Sequence, residues 1–168
     1  MNYRVLEEAD AAAYRQVRLS ALQINPEAFG STYEREFQFT LEMVMERIKP
    51  TAEKFTLGAF QEDGTLVGIA AFVRETGFKT AHKGNIYGMF IAPEARGGGV
   101  GKALLLELIR LAKETAAGLE QIHLSVVSEN AGAKKLYASL GFEVYGVERH
   151  ALKVNGLYYD EDLMLLML

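Results

Sequence analysis

The chain has 168 residues, 49% of them hydrophobic and 24% charged, with a formal net charge of -4 and no cysteine. That length buries roughly two thirds of the unfolded surface, enough for one domain over residues 1–168 without staples. Disulfides and thiolate catalysis are excluded, a general nucleic-acid binder is disfavoured, and a cationic or amine substrate suits the acidic balance. Residues 1–10 lack a basic start followed by an apolar run, and no apolar stretch approaches ~18 residues. The expectation is a cytoplasmic protein with no membrane partner.

Tyr3 to Leu6 reads as a short strand. Asp10 can cap a helix with apolar positions at Ala13, Val17, Leu19 and Leu22, which Asn25-Pro26 breaks. Residues 27–39 are aromatic and acidic without a clean period and read as a loop or a bent helical segment. Thr40 suits the N-cap of a helix over Leu41 to Ile48. Phe55 to Phe60 and Leu66 to Val73 are two arms of a hairpin around Asp63-Gly64. Gly84 to Ile91 is an apolar strand. It runs through Pro93 into a basic glycine-rich loop, Arg96 to Lys102, and then a helix with Leu104, Leu105, Leu108, Leu111 and Ala112 on one side.

Ile122 to Val127 alternates as a strand. Asn130 can cap a helix burying Ala133, Leu136 and Leu140, with Gly141 as its end. Phe142 to Val154 and Tyr158 to Leu168 flank Asn155-Gly156, the strongest hairpin signal in the chain. Asp160, Glu161 and Asp162 interrupt the start of the last strand. The order β α α β β β α β α β β, with one strand–helix–strand crossover, predicts a mixed, mostly antiparallel sheet with helices on both faces. That is an α/β or α+β domain.

A strand feeding a glycine-rich loop into a helix start presents several free backbone N–H groups and suits phosphate. A Walker A loop is excluded, because its first glycine position is Arg96 and its hydroxyl position is Ala103. A dinucleotide fingerprint fails because neither Gly97-x-Gly99 nor Gly99-x-Gly101 reaches a third glycine at the required spacing. A plain tight turn remains an alternative for the loop taken alone.

Arg96-x-x-Gly99-x-Gly101 matches the Arg/Gln-x-x-Gly-x-Gly/Ala signature of the GNAT superfamily of acetyl-CoA-dependent N-acetyltransferases. The strand Met89-Phe90-Ile91 before it resembles that family's central strand. The run from Asn130 through Leu136-Tyr137 to Gly141-Phe142 resembles its second cofactor motif. The resemblance covers residues 84–146 strongly and the flanks by element order.

The resemblance implies a GNAT-like fold and direct transfer of acetyl from acetyl-CoA to a primary amine of a small molecule or peptide. The backbone of Met89, Phe90 and Ile91 would bond the pantetheine arm, and an N–H near Met89 or Phe90 would stabilise the oxyanion. Gly97, Gly98, Gly99, Val100, Gly101 and Lys102 would wrap the pyrophosphate, with charge from Arg96 and Lys102. Asn130 would bond the cofactor as well as cap its helix. Tyr137 would be the catalytic acid that protonates the leaving thiolate. No metal is implied, and a homodimer fits the family's habit. A catalytically silent acyl-CoA-binding regulatory module of the same fold is the alternative.

The proton acceptor is less well marked. Some family members carry a glutamate early in the central strand, where this chain has Asn85. Water or Glu34 would take its place, although Glu34 reads more readily as surface charge. His82, His123 and His150 have no metal-ligand spacing. Phe29, Tyr33 and Phe37 are candidates for one substrate wall, and Tyr158 and Tyr159 for the other.

Overall fold

The structure is a computed structural model that describes residues 1–168. Its strands are β1 (Asn2–Val5), β2 (Lys54–Phe60), β3 (Leu66–Arg74), β4 (Lys83–Ile91), β5 (Gln121–Val127), β6 (Glu143–Val154) and β7 (Leu157–Met167). Its helices are α1 (Ala11–Ile24), α2 (Tyr33–Phe37), α3 (Leu41–Ile48), α4 (Val100–Thr115) and α5 (Ala131–Ser139). The strands form one seven-stranded sheet in the order β1-β2-β3-β4-β5-β7-β6. Only β4 and β5 pair in parallel; the other pairs are antiparallel. No helix is long and apolar enough to cross a membrane.

Each face of the sheet carries its own core. On one face Leu104, Leu105 and Leu108 of α4 pack, fully buried, against Leu57, Phe72, Ile86 and Ile122. Burying each such leucine is worth about 1.5–3 kcal/mol. On the other face Tyr14 and Leu22 of α1 and Val44 and Ile48 of α3 pack against Phe60, Ile69 and Phe90.

Several elements differ from their sequence reading. The buried stripe of α1 is Ala11, Tyr14, Arg18, Ala21 and Leu22, so a cation sits among the apolar positions while Ala13 and Val17 pack against the core only in part. The stretch after Pro26 is a short 3-10 turn followed by α2. On α5 the one buried residue is Tyr137, while Ala133, Leu136 and Leu140 are only partly covered. The acidic triplet does not interrupt β7, because Asp160 accepts from the His150 amide at 2.8 Å and Asp162 bonds Ser128 and Lys134. Carboxylates with such partners sit in a strand without the usual penalty.

Two features set β4 apart from its neighbours. Its pairing with β5 ends after Asn85↔His123, so the two strands part beyond that point. Its register with β3 also shifts between Ile69 and Ala71, opposite Gly88, whose φ is +61°. That left-handed angle favours glycine and permits the bulge. The bulge re-aims the strand, so Ile86, Met89 and Ile91 face α4 while Phe90 faces α1.

Candidate functional site

The parting of β4 and β5 opens a cleft of about 870 Å³. The Ala92 amide donates to the Val67 carbonyl at 2.8 Å, and Phe90 lies opposite Ile69. Antiparallel alternation then turns the backbone groups of Phe90 to β3 and those of Met89 and Ile91 into the gap. The unpaired edge of β4 is a ready template for an extended chain.

The glycine loop closes one end of the cleft. Gly97 and Gly99 have φ of +85° and +79°, and Gly99 is the N-cap of α4. A Cβ on either would meet no neighbour within 4 Å, so backbone angle is the constraint there. The first amides of α4 lack intrahelical partners and carry the positive end of its dipole. Gly101 is packed instead, its Cβ position lying 3.3 Å from Met89 Cε. Arg96 donates from Nε to the Ile91 carbonyl at 2.8 Å and from Nη2 to Asn25 Oδ1 at 3.2 Å, over the Phe90 ring. Arg96 is thus a staple that holds the loop against β4. Lys102 is exposed on the cleft wall.

The start of α5 forms the next wall. Asn130 Oδ1 accepts from the Ala133 amide at 3.1 Å, so the cap uses one atom and leaves the side-chain amide free. Asp162 anchors this turn by accepting from Ser128 at 2.5 Å and Lys134 at 2.7 Å, and the Lys134 ammonium holds its carboxyl below the usual range. Tyr137 is 7% exposed, lies edge-on to Phe142 and lines the cleft. Burial alone pushes its phenol up to about 12.

Residues absent from the sequence reading line the opposite side. Arg18 is buried and pairs bidentately with Glu36, Nε to Oε1 and Nη2 to Oε2, both at 3.0 Å. Arg47 adds a 2.7 Å bond to Glu36 Oε1. Burial works to raise the Glu36 pKa, but hydrogen bonding from Arg18 and the Ser31 hydroxyl, with the charges of Arg18 and Arg47, outweighs it and holds the carboxyl below its ordinary value. Glu161 of β7, opposite Val127, is the one carboxylate lining the cleft.

The predicted residues largely converge. Met89, Phe90, Ile91, Arg96, Gly97, Gly99, Val100, Gly101, Lys102, Asn130 and Tyr137 all line this cleft, and Gly98 does not. Phe29 lines it too, whereas Tyr33 stacks on the exposed Phe37, and Tyr158 stacks on His150. Glu34 is exposed and lines no part of it. Asn85 lies 3.5 Å from Glu75, and His123 bonds Gln121 at 2.9 Å. Arg18 had one readable signal, a lone cation in the Ala11, Tyr14, Ala21 stripe. Glu36 and Glu161 had none, because their placement depends on how distant elements dock.

A family model described as the acetyltransferase (GNAT) family matches residues 18–142. A mycothiol acetyltransferase from Actinosynnema mirum is 38% identical over 88 residues, 49% of this chain and 29% of that relative. The chain therefore spans less than a third of that relative's length. The N-alpha-acetyltransferase RimI from Mycobacterium tuberculosis is 33% identical over 93 residues, 55% of each chain. An acetyltransferase structure from Salmonella typhimurium, solved with its cofactor acetyl-CoA, superposes with a TM-score of 0.80 at 23% identity. The match covers 99% of this chain and 93% of that one.

Proposed function

The chain belongs to the acetyltransferase (GNAT) family, and we propose on that premise that it transfers acetyl from acetyl-CoA directly to a primary amine of a small molecule or peptide. The observation that carries the reading is the convergence of three features on one cleft. These are the free amides at the start of α4, the unpaired edge of β4, and Tyr137. When bound, acetyl-CoA supplies an acetyl group activated as a thioester. We read residues 1–168 as one catalytic domain of a cytoplasmic enzyme, and a homodimer is compatible with that reading.

The residues divide the work. Gly97, Gly99, Val100, Gly101 and Lys102 would hold the pyrophosphate through backbone N–H groups and one ammonium, with Gly98 shaping the turn. Met89 and Ile91 would hold the pantetheine arm in the gap, and the Phe90 ring forms the floor beneath Arg96. Asn130 would bond the arm through its free amide. The Met89 N–H, turned into the gap, would stabilise the charge that grows on the thioester carbonyl oxygen, and an aligned donor there lowers the barrier. Burial pushes the Tyr137 phenol up to about 12, so below that pH it keeps the proton that it would donate to the departing sulfur. With no cysteine in the chain, the amine attacks without an acetyl-cysteine stage.

Glu161 would take the amine proton, directly or through water. Glu161→Gln is expected to lower kcat/KM about 10²-fold near pH 7, the low end for lost general-base catalysis. The loss should shrink above pH ~10, where amines deprotonate unaided. A pH–rate profile parallel to wild type would remove Glu161 from the mechanism. The wider reading is checked by calorimetry with acetyl-CoA and by coenzyme A release over an amine panel. Micromolar binding with release is the expected result. Binding without release under any amine would leave a silent acyl-CoA-binding module, and no binding would end the reading.

A further inference from the structure

Beside the main cleft lies a second cavity of about 270 Å³ between α1, α3 and strands β2 to β4. Its charged lining is Arg18, Arg47, Lys49 and Lys54, with no carboxylate. The rest of the wall is mostly apolar or aromatic, including Phe55, Ile69 and Phe72. In a chain of net charge -4, four cations around one small cavity make a focused positive field. Arg18, Arg47, Tyr87 and Gly88 line both this cavity and the main cleft, so the two communicate at the β4 bulge.

The cations are not all spent on one another's counter-ions. Glu36 takes Nε and Nη2 of Arg18 and leaves Nη1 free. That Nη1 lies 3.2 Å from the Cβ position of Gly88, at the bulge. Glu36 carries one charge against two guanidiniums, so the triad keeps a net positive charge. Lys49 reaches Glu8 at 3.4 Å, and Lys54 bonds only the Arg47 carbonyl at 3.3 Å. A guanidinium held rigidly by a buried carboxylate, with its outer edge free, is prepared to grip an anion.

We propose that the acceptor amine carries an anionic group on an apolar body, and that this group lodges between Arg18 and Arg47. The acceptor class is an amino acid or a close analogue, with a carboxylate or a phosphorus oxyanion as the gripped group. The amine then projects past Gly88 toward Met89 and the carboxylate of Glu161, which complements its ammonium. The proposal rests on the acetyl-transfer reading and specifies its substrate class. It reverses the preference for plain cationic amines that net charge alone suggested.

The test is calorimetry on the full chain with coenzyme A present. A panel of amino acids is titrated, each beside its carboxamide and its decarboxylated amine, with an aminophosphonate to separate carboxylate from phosphorus oxyanion. At least one acid should bind about tenfold or more tightly than its amide, as a charge-assisted contact requires. Arg47→Gln should abolish that gap while Arg47→Lys keeps part of it, since Arg47 is half-exposed and Arg18 still pairs with Glu36. A panel in which no acid outbinds its amide, or in which Arg47→Gln leaves the gap intact, overturns the proposal. A separate acetyl-CoA titration reads the acetyl-transfer proposal independently. Failure there with the acid preference intact removes the reaction and keeps the anion site.

Discussion

Tyr137→Phe is expected to lower kcat by about 10²–10⁴-fold, the range for loss of a positioned proton donor. The affinity for acetyl-CoA should stay within a few-fold. The phenol makes this a clean experiment. Burial is the only influence on its pKa, with no hydrogen bond from the chain to lose. The ring's contact with Phe142 survives the change, so the fold should not suffer. The pH profile gives a second check. A phenol pushed up to about 12 is protonated throughout the working range, so wild-type kcat/KM should rise with pH as the amine deprotonates and show no fall assignable to Tyr137 below that value. Calorimetry and single-turnover rates separate binding from chemistry. Equal turnover by the phenylalanine variant would make Tyr137 a packing residue.

The second large effect is on stability. Glu36→Ala leaves Arg18 buried without its counter-ion, and breaking such a pair costs about 3–5 kcal/mol. For a chain of this size that lowers Tm by roughly 6–20 °C. The effect must depend on pH in one direction. The folded-state pKa of Glu36 lies below its ordinary value of 4.5, so the stabilisation is complete above that value and is lost as pH falls through the folded pKa. The gap between wild type and Glu36→Ala should be widest near neutrality and close under acid. Urea denaturation across that pH range reads both quantities. A pH-independent gap would show that packing around α2, not the ion triad, holds the element.

The same triad links stability to specificity. Glu36 is not placed to touch a substrate, yet it orients Arg18 through two hydrogen bonds. Selecting an anionic acceptor and holding α2 against α1 and α3 are therefore two consequences of one buried carboxylate. Losing it should loosen the acceptor side of the cleft while leaving the loop at α4 in place, because the loop is fastened separately by Arg96 to Ile91 and Asn25.

The sequence by itself determined the elements that we propose hold the cofactor. They are local: a strand, a glycine loop and a helix start within residues 86–102, then a capping asparagine and a tyrosine two turns along one helix. Local dihedral preferences, caps and spacing are written in contiguous residues, so they can be read without a fold. It also determined most strands and turns, since Asp63-Gly64 and Asn155-Gly156 specify their own geometry. Tertiary structure alone decided three things. One is that β4 and β5 part after Asn85, which turns Met89 and Ile91 toward a gap. Another is that Arg96 staples the loop rather than standing free beside phosphate. The last is that Arg18, Glu36, Arg47 and Glu161 gather on the acceptor side. Those four residues come from three helices and the final strand, and in sequence all but Arg18 read as surface charges. Packing buries or gathers them, and burial removes the solvent screening that would otherwise weaken their fields.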